Sequence, residues 1–212
     1  PRYPNGIQAG TAATPEDQLP ALRLSPPDDE DNWFVELLGE PQPDQVNRKV
    51  WRRFKTEMGH FALPCYRYMP VAVHSAAKSD YGLRIAKPAC MALAHLLEHA
   101  DPDTTPIANL PGNPPRFTKD VGRAISLWWL AMQQSPLAHE NWQLEWRETL
   151  DALYPNSQDR KIEAAKAGLS SIQNVLRESH AIALSGVLAP HGTTLKAWGR
   201  ANASLMNLIE QL

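Results

Sequence analysis

The chain of 212 residues and 23.6 kDa is long enough for one domain of ordinary size, or one domain carrying a long arm. Hydrophobic residues at 43% against charged residues at 21% supply enough apolar surface to offset ordering entropy, which excludes wholesale disorder. A net charge of −2 and a pI of about 6.4 exclude a histone-like polycation. With only Cys65 and Cys90, a disulfide framework and a four-cysteine zinc site are excluded, and the usage suits a reducing compartment.

Residues 1–43 read as a Pro-rich acidic arm. Pro1, Pro4, Pro15, Pro20, Pro26, Pro27, Pro41 and Pro43 fall too densely for regular structure, and Asp28, Asp29, Glu30 and Asp31 form a self-repelling run. Within the arm, Trp33, Phe34, Leu37 and Leu38 are spaced to line one side of a short docking helix, with Asn32 as its N-cap.

Residues 44–212 read as a single helical domain. Val46, Val50, Phe54 and Met58 recur at helical spacing before Gly59, so the pattern predicts a helix over 44–58. The section 61–81 is irregular; its pattern fits a strand at 66–68, and 71–78 fits a helical turn. Pro88 occupies a first helical position, predicting a helix to about Ala100. A second Pro-rich connection covers 101–115. Thr118 is the expected cap of a helix over 119–134 whose Val121, Ile125, Trp128, Trp129 and Met132 form an aromatic-heavy stripe. Ser135-Pro136 opens the next helix, to about Tyr154, containing Leu137, Trp142, Leu144, Trp146 and Leu150. Ile162, Leu169, Ile172, Leu176 and Val187 predict one long helix over 158–187, and Thr193 or Thr194 starts the last, through Trp198, Leu205 and Ile209. No β-alternation of useful length is visible. The expected fold class is all-α: an irregular bundle of about six helices with a Pro-rich acidic N-terminal arm.

No apolar stretch reaches the roughly 20 residues of a membrane span, and the first residues lack a signal peptide's basic-then-apolar order. The expectation is a soluble, cytoplasmic protein.

Phosphate-binding Gly loops, a GxSxG elbow and an EF-hand loop are absent from the sequence. The sharpest chemical pattern is His95-Leu96-Leu97-Glu98-His99, an HxxEH order in which two imidazoles could hold zinc with Glu98 as a base. Over Ala92 to His99 this resembles the zinc-binding segment of the pitrilysin-type metallopeptidases. The resemblance covers eight residues of a short chain without that family's strand pattern, and the family's activity is not carried over. At 100° per residue, Cys90, Leu93, Ala94 and Leu97 share one side of this helix, with His95, Glu98 and His99 opposite. A solvated polar face is therefore expected, with no metal, cofactor or catalytic residue. A metal-dependent hydrolase using His95, Glu98 and His99, joined by Glu178 or His180, is an alternative. Cys90 reads as a core thiol and Cys65 as the more exposed of the two. The tryptophans at helical spacing read as core or interface residues.

Charge is segregated along the chain: residues 1–47 carry a net −7, residues 48–90 a net +7, and the remainder −2. A helix over 44–58 would present Arg48, Lys49, Arg52, Arg53 and Lys55 together, opposite its apolar stripe, as a surface for phosphates. Arg67, Tyr66 and Tyr68 would extend it with the cation-and-aromatic mixture on which bases stack. The leading expectation is a non-catalytic, nucleic-acid-associated helical protein binding DNA or RNA, a subunit or accessory factor of a larger assembly. The acidic arm would cover this surface or bind a second protein. The alternative is a protein–protein interaction or oligomerisation module in which the basic segment docks an acidic partner and the tryptophan-rich helices form an oligomer face.

Overall fold

The computed structural model describes residues 8–24, 35–39, 50–80, 82, 84–100, 116–185 and 193–212. By its internal contacts the chain divides into two compact units, residues 1–69 and 70–212. The boundary expected at 43/44 lies outside the described residues, as do Trp33 and Phe34 of the expected docking helix. Among the described residues no helix is long and apolar enough to cross a membrane.

The first unit is built on a β-hairpin, not on a helix. Strands β1 (Arg23–Leu24) and β2 (Val35–Glu36) pair with each other, and β3 (Val50–Thr56) pairs antiparallel with β4 (Gly59–Cys65). The helix expected over 44–58 is thus corrected to a strand over its described part, and the fold is mostly helical without being purely all-α. Spacing of three and four residues fitted a helix, but Val50, Trp51, Phe54 and Thr56 are residues that a half-buried pleated strand accommodates well. The hairpin turns on Glu57 and Met58, where Thr56 Oγ1 accepts from Met58 N at 3.2 Å and donates to Gly59 O at 3.2 Å. Gly59, expected to stop a helix, begins β4 at a φ of 131°, in the region where a side chain is strained. A Cβ there would also lie 2.9 Å from Gly10 O. Residues 35–36 of the expected docking helix are a strand, and Tyr66, Arg67 and Tyr68 form a turn after β4 instead of a strand. Leu19, Leu22, Phe61, Ala62, Cys65 and Tyr68 are buried. Cys65 is therefore a core thiol, as buried as Cys90 and not the more exposed of the two.

The helix α1 (Met69–Ala72) crosses the division between the units. The second unit then carries a small hairpin of β5 (Ala77–Lys78) and β6 (Arg84–Ile85), followed by α2 (Pro88–Ala100), α3 (Arg116–Gln134), α4 (Ala138–Leu153), α5 (Gln158–Ile172), α6 (Leu176–Ser185) and α7 (Leu195–Glu210). Pro88 starts α2 as its missing N–H predicts, and Thr194 caps α7 by accepting from Ala197 N at 3.1 Å. Thr118, the expected cap of α3, instead lies buried inside a helix that begins two residues earlier. Ser135 Oγ accepts from Leu137 N at 3.2 Å before α4. The single long helix expected over 158–187 breaks into α5, a 3₁₀ turn at Gln173–Val175, and α6.

Helix α2 sits against α3, α4 and α5. That placement explains why it buries Ala92 and Leu96 as well as Cys90, Leu93 and Leu97. The tryptophans knit its surroundings. Trp146 is fully buried and donates Nε1 to Ala89 O at 2.8 Å, tying α4 to the start of α2. The rings of Trp128 and Trp142 meet edge-on at 5.0 Å, and those of Trp142 and Trp146 lie 5.8 Å apart, separations at which aromatic pairs attract beyond their burial. Lys161 is buried with its ammonium 4.9 Å from the ring centre of Tyr154, a cation–π contact that offsets desolvation.

Helix α7 also buries Asn202 completely, and neither end of its amide has a hydrogen-bond partner among the described residues. A buried amide without partners bears its desolvation cost uncompensated. Asn202→Leu, of similar size, is expected to raise unfolding free energy by about 1–2 kcal/mol in urea denaturation.

Candidate functional site

The two edges of the first unit's hairpin differ among the described residues. In an antiparallel pair, alternate residues turn their N–H and C=O away from the partner strand. On β4 these outward groups are taken by the arm. His60 N donates to Gly10 O at 2.9 Å and Gly10 N to His60 O at 2.8 Å; Ala62 N donates to Pro20 O at 2.8 Å and Leu22 N to Ala62 O at 3.0 Å; Gly39 N donates to Pro64 O at 3.0 Å. Pro64 fits here because that position needs no N–H from it. The register places Lys55 opposite His60 and Arg53 opposite Ala62, so Arg53 and Lys55 must likewise turn their backbone groups outward, to the far side of β3. No backbone partner takes them there among the described residues.

The side chains on β3 divide by pleat. Arg52 and Phe54 lie on one face, Arg53 and Lys55 on the other. Arg53 is held by the arm: its guanidinium donates to Thr11 O at 3.0 Å and Thr14 O at 2.6 Å, and lies 3.9 Å from Glu16 Oε1. The stem of Arg52 runs beside Gly39, where a Cβ would come within 3.7 Å of Arg52 Cδ. Lys55 is exposed, and Phe54 and Met58 at the hairpin end are 45% and 50% exposed.

The strand therefore separates residues that a helix would have gathered on one face. Arg48 and Lys49 lie outside the described residues. Arg52 and Lys55 fall on opposite faces and Arg53 is engaged internally. Tyr68 is buried, while Tyr66 and Arg67 are partly buried in the turn after β4. The hairpin itself, and the exposure of Phe54 that follows from it, were overlooked in the sequence. The signal was present in Thr56-Glu57-Met58-Gly59, two residues and a glycine between two β-prone runs.

In the second unit, His95 and Glu98 of α2 are partly buried, because neighbouring helices flank α2 on several sides. His95 Nδ1 lies 3.9 Å from Asp120 Oδ1 of α3, and Arg123 Nη1 donates to that same oxygen at 2.7 Å. The side chain of His99 is outside the described residues. His180 Nε2 lies 2.6 Å from Thr193 O, and Glu178 is exposed. Among the described residues no three His, Cys, Asp or Glu side chains gather as metal ligands do.

The same unit holds an open hollow of about 320 Å³ between the start of α2, the end of α3 and the start of α4. Leu127, Leu130, Ala131, Ala138 and Trp142 give it apolar walls, and Lys87 and Glu145 stand at its rim. Lys87 Nζ donates to Glu145 Oε1 at 2.9 Å. That hydrogen bond, and then the carboxylate's charge, hold the Lys87 ammonium above its ordinary pKa.

No family model, curated protein or solved structure matches this chain. Its chemistry has to be read from its own surfaces.

Two measurements test the geometry. Arg53→Gln removes the charged donor that clamps the arm and is expected to speed amide exchange at Gly10 and Ala62 by about tenfold or more, leaving exchange in α7 unchanged. For Lys87 the folded pKa is the higher one, so its stabilisation is complete below the ordinary lysine range of about 10.4 and is lost as pH climbs through the folded value. Glu145→Gln is expected to flatten this alkaline fall in thermal unfolding.

Proposed function

We propose that this protein is a non-catalytic interaction module that takes an extended, acidic segment of a partner protein as an added strand along β3. The observation that carries this reading is the outward backbone of Arg53 and Lys55 on the outer edge of β3, which has no backbone partner among the described residues. Strand addition draws affinity from main-chain hydrogen bonds and specificity from alternate side chains. Here the side-chain contribution is cationic and aromatic. Lys55 on one face and Arg52 on the other favour carboxylates in the incoming strand, and the exposed ring of Phe54 favours an apolar residue between them.

An extended acidic peptide suits this edge better than a nucleic acid does. Phosphate binding draws on several cations acting together on one surface, whereas β3 sends Arg52 and Lys55 to opposite faces and commits Arg53 to the carbonyls of Thr11 and Thr14. The reading takes up the acidic partner of the alternative expectation and changes how it is held, from a charged helix face to a strand edge.

The test is a fluorescence titration of the full chain with a short extended peptide of glutamate and valine, patterned so that glutamates fall on both faces, opposite Arg52 and Lys55, and a valine falls opposite Phe54. Binding is expected to weaken by at least about tenfold in Arg52→Glu/Lys55→Glu. It is expected to vanish when the peptide is N-methylated on the amides that would face β3, since methylation removes the donors. Binding indifferent to N-methylation overturns strand addition. Salt-dependent binding of DNA or RNA, lost in the same double variant and with no response to the peptide, overturns the reading in favour of a nucleic-acid partner.

A further inference from the structure

Helix α4 has two sides of different character. Taking Leu137, just before it, as the origin, 100° per residue places Trp142, Trp146 and Leu150 on the inward side. Leu137, Glu140, Leu144, Glu148 and Asp151 fall on the opposite side. The accessibilities follow this division. The inward three are buried, and Leu137 and Leu144 are each 58% exposed. Two leucines, two turns apart and open to solvent, make an apolar ridge of the kind that receives a helix.

Next to this ridge lies the apolar hollow between α2, α3 and α4, whose wall includes Ala138 and Trp142 of α4 itself. A ridge with a neighbouring concavity is the usual form of a helix-binding groove, in which one anchor side chain of the partner enters the hollow and others lie against the ridge.

Charge selects the partner. Glu140, Glu148 and Asp151 stand exposed around the two leucines and form no ion pair among the described residues. Of the cations beside this surface, Arg147 has its guanidinium turned to Gln211 O at the end of α7, and Lys87, at the rim of the hollow, is paired with Glu145. The surface is thus apolar at its centre and acidic at its margins, which favours lysine and arginine flanking the anchors. The backbone of the partner is constrained as well. The flank of α4 offers no free N–H or C=O, so a bound segment has to satisfy its own backbone hydrogen bonds, as a helix does.

We propose that the outer face of α4, with the adjoining hollow, docks a basic amphipathic helix of a partner protein. This surface is independent of the β3 edge, and either can fail without the other.

The full chain is titrated with two synthetic amphipathic peptides of one apolar pattern, one of leucine and lysine and the other of leucine and glutamate. Trp142, in the wall of the hollow, supplies a fluorescence signal. The leucine–lysine peptide is expected to bind and become helical by circular dichroism, and the leucine–glutamate peptide to give no response. Leu137→Ser/Leu144→Ser, both at exposed positions, is expected to weaken binding by about tenfold, and Glu140→Lys/Glu148→Lys by a similar factor. Equal response to both peptides, or binding of the basic peptide unchanged in both variants, overturns the proposal. A doubled mass in light scattering that is lost in Leu137→Ser/Leu144→Ser also overturns it, because the face would then be covered by a second copy of this chain.

Discussion

Strand β4 is hydrogen-bonded along both edges, and the first unit depends on that arrangement. One side pairs with β3 through the hairpin; the other is closed by Gly10, Pro20, Leu22 and Gly39, drawn from three separate stretches of the arm. Among the described residues no stretch of the arm makes a continuous strand there, so the outward backbone groups of His60, Ala62 and Pro64 are satisfied piecemeal. A central strand must pair all its backbone groups, whatever the source of the partners. The two strands of the hairpin are therefore unlike: β4 is paired on both sides, while the outward backbone groups of Arg53 and Lys55 on β3 have no backbone partner among the described residues.

In the second unit the equivalent role falls to Trp146. Its ring is buried between helices and its Nε1 is satisfied by the carbonyl of Ala89, so α4 is fixed to the first turn of α2 by packing and by a directional bond together. Trp142, next in the aromatic run, marks the transition from core to hollow. Fixing α4 in this way turns one stripe inward and leaves Leu137 and Leu144 outside.

How far the sequence could be read depended on whether the deciding contact was local. Pro88 and Thr194 mark helix starts through their own chemistry and were legible. So was the apolar face of α2, although its full burial required knowing that α3, α4 and α5 surround it. Residues 50–56 were not legible as a strand, because Val46, Val50, Phe54 and Met58 satisfy a helical period and the pairing that decides the matter comes from residues 59–65. The fate of Arg53 was beyond local reasoning, since the carbonyls it meets stand 39 and 42 positions earlier in the chain. The outward leucines of α4 were within reach: a helical projection separates them from Trp142, Trp146 and Leu150 without any tertiary information.

Gly59 joins two events that differ in range. Its left-handed backbone completes a two-residue turn, which closes between immediate neighbours, and its bare Cα leaves room for Ala9 and Gly10 of the arm to lie against the turn. The first of these has little loop to close, and the second must bring together segments some fifty positions apart, at a greater entropic cost. Loop entropy thus favours the hairpin as the template on which the arm settles. During synthesis the arm leaves the ribosome before the strand that it covers, and it has no edge to dock on until β4 follows.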